Sequence, residues 1–193
     1  MQRADIVQAA AQIFRQKGYH ATSMQEIADA VHLQKASLYH HVESKQDILL
    51  EILDHALDRL TADISGVIDS DLSPTLKLRL AMRAYTAMLT EDRDLASVLL
   101  LEYRGLDAKL RARHIARRDR VDQLWRRLVQ EGMDAGEFRT VDPVMTSFAL
   151  LGVQNWMITW FHEDGRLTAS QAAEGFAELF LKGLLAGSEA TER

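Results

Sequence analysis

From Ser44 onward the apolar residues Ile48, Leu49, Ile52, Leu53, Ala56, Leu57 and Leu60 recur at spacings of three and four. Only an α-helix gathers such residues on one side. Ser44-Lys45-Gln46-Asp47 reads as the cap that opens this helix, and Gly66 marks its expected end. Ile6, Ala10, Ile13 and Phe14 form a similar stripe between Ala4 and Phe14, with Gly18 following where a left-handed C-cap is wanted. Ser73-Pro74 and Asp142-Pro143 each pair an N-cap residue with proline at the first helical position, and Thr168 with Gln171 suggests another start. Breaks are expected near Asp92, Gly105 and Gly136. Two prolines and ten glycines are too few to punctuate many strands and hairpins. The expected fold is all-α, with about nine helices.

At 193 residues the chain can build a compact body with a small N-terminal appendage. It has no cysteine, which removes disulfides, thiolate nucleophiles and Cys-containing zinc sites and suits a reducing compartment. The start, Met1-Gln2-Arg3-Ala4-Asp5-Ile6, lacks the apolar centre of a signal peptide, so a cytoplasmic location is expected. The long apolar stretch from Val144 to Phe161 is interrupted by Thr146, Ser147, Gln154, Asn155 and Thr159, and reads as a buried helix with no membrane role. The net charge of -5 argues against a protein that coats nucleic acid nonspecifically. Residues 1–48 nevertheless balance five basic against five acidic groups, so the acidity lies further along.

No motif supports an enzyme: there is no Gly-rich phosphate loop and no His-Glu-x-x-His, and the seven histidines are scattered. His40 and His41 are neighbours, and adjacent helical residues point about 100° apart, so no metal site is expected of them. No cofactor is implied.

Ser23-Met24-Gln25-Glu26 has the form of a capping box, and the helix it opens turns Ile27, Ala28 and Val31 inward before stopping near His32-Leu33. A short run from Lys35 to His41 follows, anchored by Leu38. A capped helix, a tight turn and a second short helix have the proportions of a helix-turn-helix, and spacing alone leaves a plain packing module equally open.

The run Gly18-Tyr19-His20-Ala21-Thr22-Ser23-Met24-Gln25-Glu26-Ile27-Ala28-Asp29-Ala30-Val31, with Lys35-Ala36-Ser37-Leu38-Tyr39-His40-His41-Val42-Glu43-Ser44-Lys45, resembles the N-terminal signature of TetR-family repressors. The resemblance covers about a quarter of the chain. It departs from the family pattern at His32, where a turn glycine is usual, and at Gln34, where serine commonly caps the recognition helix. It implies a helix-turn-helix domain over residues 1–46, with the motif itself at about 23–42, and a helical ligand-binding and dimerisation domain over 47–193. On that reading Thr22, Ser23, Tyr39, His40 and Lys45 face phosphates, while Gln34, Lys35, Ala36 and Ser37 face base edges of double-stranded operator DNA. With no net charge in residues 1–48, affinity has to come from doubling the site in a homodimer.

The last two helices, expected near 143–162 and 169–186, are the candidates for the dimer interface, through Phe148, Gly152, Phe176, Leu179, Phe180 and Gly183. Met82, Tyr85, Met88, Leu89, Trp125, Trp156 and Trp160 are bulky residues suited to an effector cavity. From Arg104 to Arg127 nine basic residues face three acidic ones, a local charge of +6. This is either a solvated helix face or, through Arg104, Arg113 and Arg117, a seat for an anionic effector. Together with Trp160-Phe161 and Gly165-Arg166-Leu167, the run looks like the C-terminal half of TetR regulators that respond to acyl-CoA thioesters. The resemblance implies a repressor released from its operator by a small molecule, an acyl-CoA among the candidates. The alternative is a ligand-binding helical dimer with no DNA role.

Overall fold

The computed structural model describes residues 2–184. Among them are ten α-helices and no strand: α1 (Arg3–Lys17), α2 (Met24–Ala30), α3 (Lys35–Leu38), α4 (Lys45–Ile68), α5 (Pro74–Glu91), α6 (Arg93–Ser97), α7 (Ala108–Asp134), α8 (Pro143–Asn155), α9 (Met157–Trp160) and α10 (Ala169–Leu184). A π-type turn (Val98–Glu102) and a 3-10 turn (Tyr103–Gly105) join α6 to α7. The helix expected over 143–162 is broken at Trp156 into α8 and the single turn α9. Counted as one broken helix, they bring the described total to the nine expected. The last expected helix reached to 186; its final two positions lie outside the described residues.

The chain groups into two compact units, one holding residues up to 59 with 92–118, the other 60–91 with those from 119 on. The sequence division at 46/47 put all of α4 but its first two residues in the second domain. By compactness the start of α4 goes with the N-terminal helices instead, as does the segment from α6 into α7. Ile48, Leu49, Ile52 and Leu53 on α4 are fully buried, as are Ile6, Ala10 and Phe14 of α1. Each of these Ile, Leu and Phe side chains contributes about 1.5–3 kcal/mol on leaving water.

In the first unit, α1 packs against α2, α6 and the π-type turn, and α2 packs on α3. Arg3 fastens α1 to α4: its Nε donates to Glu51 at 2.6 Å, one terminal nitrogen to Asp47 at 2.9 Å, and the other to the His41 carbonyl. Arg15 pairs with Asp94 of α6 at 2.6 Å. In the second unit α10 lies along α5. Leu78, Ala81, Met82, Met88, Trp125, Leu128, Val129, Leu150 and Ala177 are fully buried there. Asp142 caps α8, its carboxylate accepting from the Val144 and Met145 amides, and Pro143 occupies the first helical position as expected.

Candidate nucleic-acid interface

The capping box of α2 forms as the sequence predicts. The Ser23 hydroxyl accepts from the Glu26 amide at 3.2 Å, and Glu26 accepts from the Ser23 amide at 2.8 Å. The Lys17 ammonium, with the amide and hydroxyl of Ser23, holds the Glu26 carboxyl down at about 2. Ile27 and Ala28 are fully buried, which fixes α2 by its inner face.

The chain then turns through His32, the only non-glycine with positive φ among the described residues, at φ 55°. This is the position where the resemblance led to an expected glycine, and histidine is among the residues that tolerate it. The Leu33 amide donates back to the Ala28 carbonyl at 2.9 Å and closes the turn. Gln34 stands at the N-cap of α3 and makes no side-chain capping bond, so its amide is not spent on the helix. The α-helical part of α3 is shorter than the expected Lys35–His41, ending at Leu38, and turn hydrogen bonds carry the chain on to Val42. Leu38 and Val42 are buried, while Gln34, Lys35, Ala36, Tyr39 and His40 are exposed and Ser37 is half-buried. The residues expected at base edges therefore share one short segment held from behind by apolar anchors.

Two residues expected at phosphates have other work. Thr22 is 2% exposed, and its hydroxyl donates to the Gly18 carbonyl at 2.9 Å, so the side chain is spent on the approach to α2. Lys45 Nζ donates to the carbonyls of Tyr19 at 2.8 Å and Thr22 at 2.5 Å, and lies 4.4 Å from the centre of the Tyr19 ring. Burial pulls its ammonium below the ordinary value, with Glu26 pushing back. Lys45 thus holds the Tyr19–Thr22 segment against the start of α4, a positioning role. Ser23, exposed at the same helix start, likewise has its hydroxyl engaged, donating to the Glu26 carboxylate at 3.0 Å while accepting from the Glu26 amide.

Tyr19 is the hub that sequence reasoning missed. It is 5% exposed, its ring meets Phe14 edge-on at 5.2 Å, and its amide donates to Glu102 at 3.0 Å. A β-carbon on Gly105 would stand 2.3 Å from its ring, so only glycine lets the 3-10 turn come this close. Nothing local in the sequence pairs Tyr19 with residues more than eighty positions away.

The residues expected around an effector fall into different places. Met82, Tyr85, Met88, Leu89 and Trp125 are buried in the second unit, with the Tyr85 and Trp125 rings edge to face at 6.0 Å. The Tyr85 hydroxyl donates to Asn155 at 2.6 Å. The indole N–H of Trp125 and Oε1 of Gln154 are buried with no hydrogen-bond partner. Trp156, 66% exposed, and Trp160 lie apart from these residues and line a groove of about 680 Å³ with Val153, Leu167 and Phe176. Arg104, Arg113 and Arg117 belong to the first unit. Arg113 pairs with Asp54 at 2.8 Å, and Arg117 pairs with Asp58 and approaches Asp54 Oδ1 at 3.2 Å, outside hydrogen-bond geometry. Arg113 and Arg117 are therefore neutralised by Asp54 and Asp58 of α4, which a window of sequence around 104–127 does not contain.

On α8, Met145, Phe148 and Gly152 are exposed along one side, as is Trp156 just past its end; on α10, Gly175, Leu179 and Gly183 are exposed and Phe180 is half-buried. Phe176 is half-buried against Met157, Phe161 and Ala172, so it serves the core of its own chain. Arg126 lies 5.7 Å from the Phe148 ring. No helix among the described residues is long and apolar enough to cross a membrane.

Comparison with known proteins matches residues 6–52 to the bacterial regulatory proteins of the tetR family, and residues 71–184 to a tetracyclin repressor-like C-terminal domain. The crystal structure of the TetR-family regulator PfmR from Thermus thermophilus shares 37% identity and superposes with a TM-score of 0.86, covering 92% of this chain and 97% of that one. The structure of AibR with isovaleryl coenzyme A and operator DNA shares 30% identity at a TM-score of 0.86, over 93% and 97%. Among curated relatives, the transcriptional repressor KstR2 of Mycobacterium tuberculosis is 28% identical across 94% of this chain and 92% of its own length. These relatives are regulators and not enzymes, and the matched C-terminal profile alone spans more than half the chain. With its helix-turn-helix built on the same residues that carry the family signature, the chain belongs to the TetR family of bacterial transcriptional regulators.

Proposed function

We propose that this chain is a homodimeric repressor of the bacterial cytoplasm that occupies a two-fold operator and leaves it when an acyl-CoA thioester binds. The observation that carries the DNA-binding part is the exposed edge from Gln34 to Tyr39 standing on the buried anchors Ile27, Leu38 and Val42. Lys35 and Gln34 offer donors suited to base edges, and Tyr39, 48% exposed, offers a hydroxyl to a phosphate. The uncovered apolar residues of α8 and α10 support pairing with a second copy, because Met145, Phe148 and Leu179 are each more than half exposed. Two recognition helices then meet successive major grooves about 34–36 Å apart.

Support for the thioester is chemical. The second unit holds the buried rings of Tyr85 and Trp125 together with unpartnered buried polar atoms on Trp125 and Gln154, and AibR, 30% identical, was solved with isovaleryl coenzyme A. To swing operator occupancy from 99:1 to 1:99 the effector must favour the released state by about 5.5 kcal/mol. The test is fluorescence anisotropy of the purified protein on DNA upstream of its own gene, at fixed salt, with a panel of acyl-CoAs. Tight binding released by one thioester supports the reading; tight binding indifferent to the whole panel removes the thioester, and no binding removes the operator assignment.

A further inference from the structure

Arg111, His114 and Arg118 stand at positions i, i+3 and i+7 of α7, on one helix face, and the 3-10 turn carrying Tyr103 and Arg104 comes to that face. The Tyr103 and His114 rings stack at 5.7 Å with 28° between their planes. The Arg104 guanidinium lies 5.9 Å from the centre of the Tyr103 ring. His114 is 1% exposed, and its Nδ1 has no hydrogen-bond partner.

The nearby cations differ in what holds them. Arg113 and Arg117 are claimed by Asp54 and Asp58, while no ion pair to Arg104 or Arg111 is present among the described residues. The carboxylates closest in sequence are also committed: Glu102 accepts from the Tyr19 amide, and Asp107 Oδ1 accepts from the Leu110 amide at the start of α7. Arg104 is exposed and Arg111 half-buried, so both reach solvent. A π-type turn immediately precedes the cluster, a distortion often found at functional sites.

We propose that Tyr103, Arg104, Arg111 and His114 form a binding site for a phosphoryl group. Two guanidinium forks suit phosphate oxygens bidentately, the Tyr103 phenol supplies a further hydrogen bond, and the buried His114 positions that ring by stacking on it. The field is of the right sign: hydrogen bonding from Arg104 and the charges of Arg104, Arg118 and Arg111 hold the Tyr103 phenol below its ordinary value, which means negative oxygen is favoured there. The residues of the site all belong to the first unit, and the phosphoryl group it takes is that of a small molecule or of the backbone of bound DNA.

The experiment titrates the full chain with inorganic pyrophosphate by calorimetry, and measures operator affinity as a function of salt, for the wild type, R104Q/R111Q and the control R113Q. Wild-type binding of pyrophosphate that weakens about tenfold or more in R104Q/R111Q but not in R113Q establishes the site with a small-molecule ligand. A salt dependence of operator binding that becomes shallower by about one to two units in the double variant establishes it with DNA as the source. If neither quantity distinguishes the double variant from R113Q, the site does not exist. Y103F keeps the ring stack and repeats both measurements without removing charge, so a folding defect in the double variant leaves the test intact. Operator release by an acyl-CoA that persists while both arms fail would overturn this site alone and leave the effector reading standing.

Discussion

The Lys45 ammonium reaches across from α4 to the Tyr19 carbonyl at 2.8 Å while standing 4.4 Å from the centre of the same residue's ring. One cation thereby fixes both the backbone and the ring of the residue that leads into α2. Lys45→Met is expected to lower stability by about 1.5–3 kcal/mol, the value of hydrogen bonds to a charged group. Operator affinity falls with it, because the start of α2 loosens. Urea unfolding and operator anisotropy on the same preparation check this; unchanged stability with weakened DNA binding would make Lys45 a direct phosphate contact instead.

Removing the α2 cap isolates a second contribution. Ser23→Ala is expected to cost about 1 kcal/mol, and Ser23→Asp much less, since aspartate can still accept from the Glu26 amide. The sign with pH follows from the lowered Glu26 carboxyl. A depressed folded value contributes stability that is present above the ordinary 4.5 and is lost as pH falls toward about 2. Ser23→Ala should shrink that acid loss, which denaturant midpoints measured between these limits would reveal.

His114 gives a separate pH signature. Burial first, then the Arg118 charge, with Arg117 adding and Asp54 opposing, holds its imidazole below the ordinary 6.5. Stability from such a group is complete above 6.5 and declines as pH drops toward the folded value, because the unfolded chain takes up the proton first. His114→Gln, which cannot titrate, is expected to flatten the stability profile between neutral and mildly acidic pH. A profile identical to the wild type would show that the imidazole is not held neutral.

For the exposed apolar sides of α8 and α10, Phe148→Glu with Leu179→Glu is expected to convert a dimer to a monomer in sedimentation velocity, with secondary structure retained, since both positions are more than half exposed in the chain alone. Operator affinity should drop by at least about tenfold as the second half-site is lost. A dimer that survives both charges would place the interface elsewhere.

Local signals were readable in the sequence and distant partners were not. The Ser23 box, the Pro143 start and the cap at Ser44 each depend on residues within four positions, and all three form. The unusual turn residue His32 could be read as a positive-φ position because the motif around it supplies the frame. Arg113 and Arg117 were open to an anionic ligand because the aspartates that take them up stand 59 residues away in Arg113–Asp54 and Arg117–Asp58. Trp156 and Trp160 share a face as their spacing requires, yet that face lines an open groove, and spacing says nothing about which side of a helix is covered. The break between α8 and α9 has neither proline nor glycine to announce it.

The π-type turn at Val98–Glu102 closes its hydrogen bonds over one residue more than an α-helical turn. A relative whose helix runs straight through this stretch would therefore need one residue fewer to arrive at the same place. Any alignment that crosses it without a gap shifts α7 by one position, which rotates every side chain on that helix by about 100°. Roles carried over to Arg111, His114 or Trp125 should thus be counted from the cap at Asp107, a fixed point beyond the extra residue, and not from α6.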